Sequence, residues 1–301
     1  MKTRHILALC CLPSFATAGL ASDGDDARRF TAERVFDLEY ADDPQISPDG
    51  SAIVYARKSM DRFTDQVVSD LWTIDTRSGS QRPLVSGEGS SSSVRWSPDG
   101  KRLVYLTTTN GKPDLRLRYQ DSGVSFSLAQ LEQGPGAPVW SPDGKSIAFS
   151  MLVPDERASF AKPPKSPEGA DWAKPVRIVD DLVFRFDGAG YLAKGKTQIF
   201  TLSAEGGTPR QVTHGKNGFD TPQWLGNDAL LVTGNQAEDA DLDPIESEIY
   251  RVDLESETVS PLTQRDGPDF AAVVSPNGSR IAYLGYDDQL KSYQHTDVYV
   301  M

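Results

Sequence analysis

The sequence predicts an all-β protein, a β-propeller built from four-stranded blades. The first observation is a repeated turn motif, with Ser-Pro-Asp-Gly at 47–50, 97–100 and 141–144 and Ser-Pro-Asn-Gly at 275–278. The second is its spacing. The positions before these four turns, together with position 224 before the Leu-Gly-Asn-Asp that replaces the motif in the fourth repeat, are 46, 96, 140, 224 and 274, and they lie 50, 44, 84 and 50 residues apart. The third is the alternating apolar run after each turn, as at 103–106. A period of about 40 to 50 residues with several short strands is typical of propeller blades.

The first four repeats each contain the runs of one four-stranded blade, and the fifth repeat is expected to stop at Met301 with its third run. In the first repeat, the strand after the turn (52–55) is followed by an aromatic and β-branched run (71–74) and a short final run (83–85). We therefore expect about five blades over residues 44–301, an incomplete ring. The blades are expected to start near residues 44, 94, 138, 222 and 272.

The composition of the repeated turn is explained by backbone geometry. Proline suits the second position of a type I turn, serine accepts a hydrogen bond at the first, and glycine tolerates the positive φ with which the chain enters the next strand. Aspartate or asparagine between them can bond to nearby backbone. The motif is therefore predicted to be structural and to carry no chemistry.

The step of 84 residues indicates an insertion within the third blade, at residues 153–196. Only one third-strand pattern, at 198–203, lies inside this step, so no further blade fits there. The second half of the insertion contains strand-like runs around Phe186-Asp187-Gly188, which is a hairpin signal. Long insertions on repeat scaffolds tend to occupy one face and to carry recognition.

The first 21 residues have the pattern of a secretory signal peptide, with Lys2 and Arg4 before an apolar run and small residues near Ala18 and Ala21. Both cysteines of the chain, Cys10 and Cys11, fall inside it. Residues 22–43 form a leading segment, in which 30–38 reads as a short helix with Thr31 as its N-cap. We expect an exported protein, periplasmic or extracellular, with no membrane segment after cleavage.

The charge balance disfavours nucleic acid as a partner. The chain has 31 lysines and arginines against 43 aspartates and glutamates, a formal net charge of −12. Binding to nucleic acid takes most of its affinity from basic residues that neutralise phosphates. No cofactor motif is present, and we expect no cofactor.

The sequence resembles the N-terminal β-propeller of the prolyl oligopeptidase family of serine peptidases, closest to acylaminoacyl-peptidase and dipeptidyl-peptidase-like bacterial members. The resemblance lies in the repeated WSPDG turns and in three segments: FTAERVFDLEYADDPQISPDG (30–50), KPVRIVDDLVFRFDGAGYL (174–192) and SYQHTDVYVM (292–301). It implies a propeller that gates access to an α/β-hydrolase domain, so that short peptides enter and folded proteins do not. The expected partners are peptide substrates, reached through that catalytic domain.

No catalytic residue is predicted in this chain. A nucleophile elbow requires G-x-S-x-G, and no two glycines of the sequence lie four positions apart. His214 and His295 are the histidines outside the signal peptide, and neither can be paired with a nucleophile. The sequence therefore indicates a truncated peptidase, a chain that lacks the catalytic α/β-hydrolase domain, and leaves open whether the protein is an enzyme.

The candidates for substrate gating are Arg185, Asp187 and Tyr191, which we expect to face a cavity or a catalytic domain; they could instead stabilise the hairpin. No metal site is predicted. The acidic run 238–246 superficially resembles a calcium loop, but Pro244 and Tyr250 stand where such a loop requires glycine and a bidentate glutamate. We interpret this run as a solvated surface loop.

Three functions are compatible with these features. The first is the non-catalytic, substrate-gating portion of an exported serine peptidase that acts on peptides. The alternative is a stand-alone TolB-type periplasmic propeller that acts through protein–protein binding. A propeller enzyme with a metal or acid site in its channel is the weakest of the three, because the sequence has few histidines to supply as ligands.

Overall fold

The computed structural model describes residues 30–87, 89–155, 164–173, 178–187 and 189–301. These residues form five antiparallel sheets that follow one another along the chain, a two-stranded hairpin and one 3₁₀ helix, Ala32–Asp37. The predicted signal peptide and the first part of the leading segment lie outside the described residues. The expected short helix is present as this 3₁₀ helix; Thr31 precedes it but makes no side-chain capping hydrogen bond.

The strands are numbered in chain order. Blade 1 contains β1 (Glu39–Ile46), β2 (Ala52–Asp61), β3 (Gln66–Asp75) and β4 (Gln81–Val85). Blade 2 contains β5 (Ser90–Trp96), β6 (Arg102–Thr109), β7 (Lys112–Tyr119) and β8 (Ser125–Gln130). Blade 3 contains β9 (Val139–Trp140), β10 (Ser146–Pro154), β13 (Gly195–Ser203) and β14 (Arg210–Gln211), and the hairpin of β11 (Arg185–Phe186) and β12 (Gly190–Tyr191) lies between its second and third strands. Blade 4 contains β15 (Asp220–Leu225), β16 (Ala229–Gly234), β17 (Glu248–Asp253) and β18 (Val259–Pro261), and blade 5 contains β19 (Asp269–Val274), β20 (Ile281–Gly285) and β21 (Asp297–Val300).

The prediction of a propeller of four-stranded blades is confirmed. Four sheets pair their strands in the order first, second, third, fourth, and the fifth sheet has three strands. In blade 3 the order β14-β13-β10-β9 places the strands on both sides of the insertion next to each other, so the step of 84 residues is one blade. The series of sheets is not closed into a ring in the described part of the chain.

The repeated turns have the same hydrogen bonds in every blade that carries the motif. In the second turn the Ser97 hydroxyl donates to Asp99 Oδ1 at 2.5 Å and accepts the Arg102 amide at 2.9 Å, while the Gly100 amide donates to the Ser97 carbonyl. Gly100 has a φ of +69°. The serine, the aspartate and the glycine are therefore all engaged in the turn, which confirms the structural interpretation of the motif.

Acid is expected to weaken these turns through their aspartates. The Ser47 hydroxyl, followed by the amide and hydroxyl of Ser51, lowers the pKa of Asp49 from 3.8 to about 2. Because the pKa of Asp49 is lower in the folded chain than in the unfolded chain, its carboxylate stabilises the fold when the pH is above 3.8. This stabilisation is lost as the pH falls from 3.8 through about 2. In blade 5 Asn277 accepts the same hydrogen bonds without a charge, so an amide fits the turn.

We therefore expect Asp49→Asn to leave the melting temperature near neutral pH close to that of the wild type and to remove part of its decline below pH 3.8. The measurement is the difference in melting temperature between variant and wild type from pH 7 to pH 2. Asp65→Asn, at an exposed position outside the repeated turns, is the matched control. A difference that does not change with pH would contradict this assignment.

Hydrophobic cores lie between consecutive blades. Alternating side chains of one strand face opposite neighbours: in β16, Leu230 and Val232 pack against blade 3, whereas Leu231 packs with Ile249 against blade 5. The largest cores lie between blades 2 and 3, where the rings of Phe149 and Phe200 stack at 5.9 Å, and between blades 3 and 4. Each interior blade is thus packed on both faces.

A tryptophan joins each of blades 2, 3 and 4 to the blade before it. The indole Nε1 of each tryptophan donates to a backbone carbonyl on the first strand of the preceding blade. The accepting residue comes just before the residue that holds the tryptophan's position in that preceding blade. Val274 holds this position in blade 5 and offers no donor. The three bonds run from Trp96, Trp140 and Trp224 to the carbonyl oxygens of Gln45, Arg95 and Val139, at 3.2, 3.1 and 3.1 Å.

The outer faces of the first and last blades carry exposed apolar side chains. On blade 1, Ile46 stands where the other repeats have their inter-blade residue and is 67% exposed. On blade 5, Val298 is 70% exposed, and Val273 and Val300 are exposed beside it. These faces resemble those that are buried between the interior blades.

Candidate functional site

The connections between strands divide the molecule into two ends. In each blade, the connection between the first and second strands and the connection between the third and fourth strands lie at the same end of the sheet. We call this the turn end, because it holds the repeated Ser-Pro-Asp-Gly turns. The second-to-third connections and the passages between blades share the other, the loop end. The described parts of the long segments 155–194, 235–247 and 286–296 lie at the loop end. The loop end is therefore the variable surface of the scaffold.

The insertion hairpin contains the three candidates for substrate gating. Arg185 pairs with Tyr191 across the hairpin, and its guanidinium carbon lies 6.0 Å from the centre of the Tyr191 ring. Phe184 contacts the same ring, with centroids 6.2 Å apart. Asp187 lies in the turn, and all three candidates are exposed. The structure thus brings Arg185 and Tyr191 together on an exposed hairpin, and their role in gating remains a prediction.

The same hairpin exposes a patch of apolar side chains. Exposed apolar patches commonly mark surfaces of interaction. The Asp180 carboxylate pairs with Lys194 at the base of the insertion. The exposed apolar residues of this segment are Ile178, Val179, Leu182, Val183, Phe184, Phe186, Tyr191 and Leu192.

A cleft of about 320 Å³ opens at the loop end of blade 3, at the foot of the insertion. Its walls come from the end of β10, from the start of β13, and from the connection between β14 and β15. Lys196, His214 and Lys216 stand around it, and Asp155 is the single acid of its lining. The position at the junction of insertion and blade makes it accessible from the loop end.

A network of charged residues joins blades 4 and 5 at the loop end. The Arg265 guanidinium donates from Nε to Asp269 Oδ1 at 3.0 Å and from Nη1 to Asp287 Oδ1 at 2.8 Å, and it lies 3.9 Å from the centre of the Tyr299 ring. The Arg265 amide donates to Glu248 Oε1 at 2.6 Å. One arginine thus contacts four side chains from both blades.

Two carboxylates of this network are incompletely satisfied. Asp269 is 1% exposed, and in the described part of the chain its Oδ2 and the Oε2 of Glu248 are buried without a hydrogen-bond partner. Burial raises the pKa of Asp269, Glu248 and Glu246. A buried carboxylate without full hydrogen bonding is costly when charged, so this network depends on Arg265.

The acidic run 238–246 does not assemble a metal site. Among the described residues there is no group of three or more histidines, cysteines or acids that could hold a metal ion. Most of the run is exposed, but Glu246 is half-buried and accepts the Gly267 amide at 2.9 Å. The interpretation as a solvated loop therefore does not extend to Glu246. Within the described ranges, no helix has the length and hydrophobicity that a membrane span needs.

Neither the cleft nor the Arg265 network was predicted from the sequence. Both combine residues from connections that are far apart in the chain, and none of these connections carries a motif. The one available signal was His214, which the sequence left without a nucleophile to pair with. It is exposed, and it also lines the cleft.

Comparison with known proteins identifies the family. Residues 70–298 match the family model described as TolB β-propeller domain. The chain belongs to this family. This TolB-type propeller is also 28% identical over 203 residues to a Bacillus subtilis protein named uncharacterized peptidase YuxL, an alignment that covers 67% of the chain and 30% of that protein.

Two solved structures share the fold of this TolB-type propeller. Acylaminoacyl peptidase from Pyrococcus horikoshii superposes with a TM-score of 0.66 at 16% identity, over 88% of the chain and 39% of the peptidase. TolB from Acinetobacter baumannii gives a TM-score of 0.52 at 18% identity, over 88% of the chain and 50% of that protein. The predicted resemblance to the propellers of acylaminoacyl-type peptidases is thereby confirmed. The chain spans only about a third of the length of these peptidase relatives.

Proposed function

We propose that this propeller is the non-catalytic, substrate-gating part of an exported serine peptidase that acts on peptides. The observation that carries the proposal is the match over two thirds of the chain to a relative named a peptidase, of which the chain covers 30%. The catalytic α/β-hydrolase domain would then be supplied by a polypeptide region outside these 301 residues.

The arrangement of the loop end supports this role. The insertion, the cleft at its foot and the exposed apolar hairpin all lie where a second domain or an entering peptide can reach them. Arg185, Asp187 and Tyr191 are proposed to contact the substrate path or the catalytic domain. The blades pack on one another through hydrophobic cores, an arrangement that suits selection of substrates by size.

The proposal is tested by asking whether the propeller accompanies a serine hydrolase. Antibodies against residues 30–301 would be used to isolate the protein from the exported fraction of the source cells, and the isolate would be treated with a fluorescent fluorophosphonate. We expect a labelled serine hydrolase, either in the same polypeptide at a mass well above 32.9 kDa or bound to it. The chain of residues 22–301 expressed alone is the control and is expected to remain unlabelled.

The alternative is a stand-alone TolB-type propeller that acts in protein–protein binding in the periplasm. The fold shared with Acinetobacter baumannii TolB favours it. The same isolation distinguishes the two functions. Unlabelled protein at the mass of the single chain, together with proteins of the cell envelope, would overturn the peptidase proposal and support the alternative.

A further inference from the structure

The cleft at the foot of the insertion has a floor that is held in place by hydrogen bonds. Gln198, at the start of β13, is 3% exposed, and its Oε1 accepts the Thr213 hydroxyl at 2.7 Å. Thr213 is itself fixed, because its Oγ1 accepts the Ile199 amide at 2.9 Å. Gln211 Nε2 donates to the Thr213 carbonyl at 2.7 Å. Hydrogen bonds with Thr213 thus fix the side chains of Gln198 and Gln211 in the floor of the cleft.

The lysines of the cleft are only weakly engaged by the described part of the protein. Lys196 Nζ lies 4.0 Å from Asp241, beyond hydrogen-bond distance, whereas the His214 ring is held by Gln211, whose Nε2 lies 3.2 Å from His214 Nδ1. Lys216 forms no ion pair with any residue that the structure describes. The ammonium groups of Lys196 and Lys216 therefore retain the capacity to bind an external anion.

The lining of the cleft contains more lysines than acids, in a chain whose formal net charge is −12. Lys196 and Lys216 belong to the lining together with one acid, Asp155, while Asp241 and Glu257 lie next to the cleft, beside Lys196 and His214. Attraction of an anion to this position therefore comes from the two ammonium groups rather than from the field of the surrounding surface. A volume of about 320 Å³ is at the lower end of that of ligand pockets and suits a ligand of one or two amino-acid residues.

We propose that the cleft bounded by Lys196, His214 and Lys216 binds the carboxylate of a peptide. Two ammonium groups, those of Lys196 and Lys216, hold the carboxylate, and Gln211 lines the cleft beside them. The carboxylate belongs either to the C-terminus or to an acidic side chain. The inference deepens the proposed function by adding one feature of the substrate.

The imidazole of His214 offers a direct readout of binding. The chain has three histidines, His5, His214 and His295, so the ring resonances can be assigned by substitution. We expect N-acetyl-Ala-Ala with a free carboxylate to shift the His214 resonances, and its C-terminal amide to leave them unchanged. His295, on the loop before β21, is the internal control. N-acetyl-Ala-Glu-amide tests the acidic side chain, and a response to either carboxylate supports the proposal.

Lys216→Gln and Lys196→Gln are each expected to weaken carboxylate binding about tenfold or more, because each removes a charge-assisted hydrogen bond. Lys145→Gln, at an exposed lysine of the turn end, is the matched control and should bind as the wild type does. Equal binding of the free acid and the amide, no response to either carboxylate, or a response to inorganic phosphate alone would overturn the proposal. None of these results bears on the fluorophosphonate test, so the two proposals fail separately.

Discussion

Replacing Trp224 by alanine is expected to lower the free energy of unfolding by about 3–5 kcal/mol, the range for truncation of a buried aromatic residue. Trp224 is 8% exposed, packs in the core between blades 3 and 4, and donates from Nε1 to the Val139 carbonyl. The truncation therefore removes apolar packing and an inter-blade hydrogen bond together. Urea unfolding, followed by circular dichroism, measures the loss as a lower midpoint.

Trp224→Phe separates the two contributions. Phenylalanine keeps most of the ring but has no donor, so we expect a cost of about 1–2 kcal/mol from the lost bond and the smaller side chain. Trp172→Phe, on the exposed part of the insertion, is the matched control and should change the midpoint little. Equal losses for the alanine and phenylalanine variants would contradict a packing role for the indole.

Replacing Arg265 by methionine is expected to have an effect of similar size, about 3–5 kcal/mol, because it leaves a buried carboxylate without its counter-charge. Asp269 is 1% exposed and depends on Arg265 for its ion pair. We expect the loss to be localised at the junction of blades 4 and 5. Hydrogen exchange of the β19 and β20 amides measures it directly.

The loss caused by Arg265→Met should grow as the pH rises. Burial already raises the pKa of Asp269 above 3.8 in the wild type, and removing the arginine removes a charge that opposes this rise. A carboxyl whose folded pKa is raised destabilises the protein progressively as the pH increases from the unfolded value through the folded one.

Two further variants test the assignment of the charge pair. The double variant Arg265→Met, Asp269→Asn should recover much of the loss and abolish its added pH dependence. Arg185→Met, which removes an exposed arginine of the insertion hairpin, is the matched control. A loss for Arg265→Met below about 1 kcal/mol at every pH would show that the Asp269 charge does not depend on this arginine.

The sequence was sufficient to predict the blades because each blade is specified by local interactions. The Ser97–Asp99 turn closes within six residues, and the strands on either side pair with each other, so motif and geometry coincide. The tryptophan before the turn is the exception. Its role appears only when one blade is placed against the next, although its recurrence at blade spacing offered a signal.

The candidate site was predicted only in part because its contacts do not follow the repeat. The insertion was located by an irregular spacing of the repeats. A hairpin centred near residue 188 is enough to place Arg185 opposite Tyr191. The cleft joins segments separated by about 40 to 60 residues, and the Arg265 network combines two blades. Such contacts depend on how the sheets pack, which no local pattern encodes.

The restriction of the cores to consecutive blades also means that the protein can fold one blade at a time. The core between blades 1 and 2 needs no residue beyond Gln130, and each later blade adds its own contacts to a surface that already exists. The free energy of unfolding is then a sum of contributions from neighbouring blades. The long connection 155–194 lies within blade 3, and its entropy cost grows only with the logarithm of its length. The protein can therefore acquire structure progressively from its N-terminal side, with amide protection deepest in the interior blades and shallowest in blades 1 and 5.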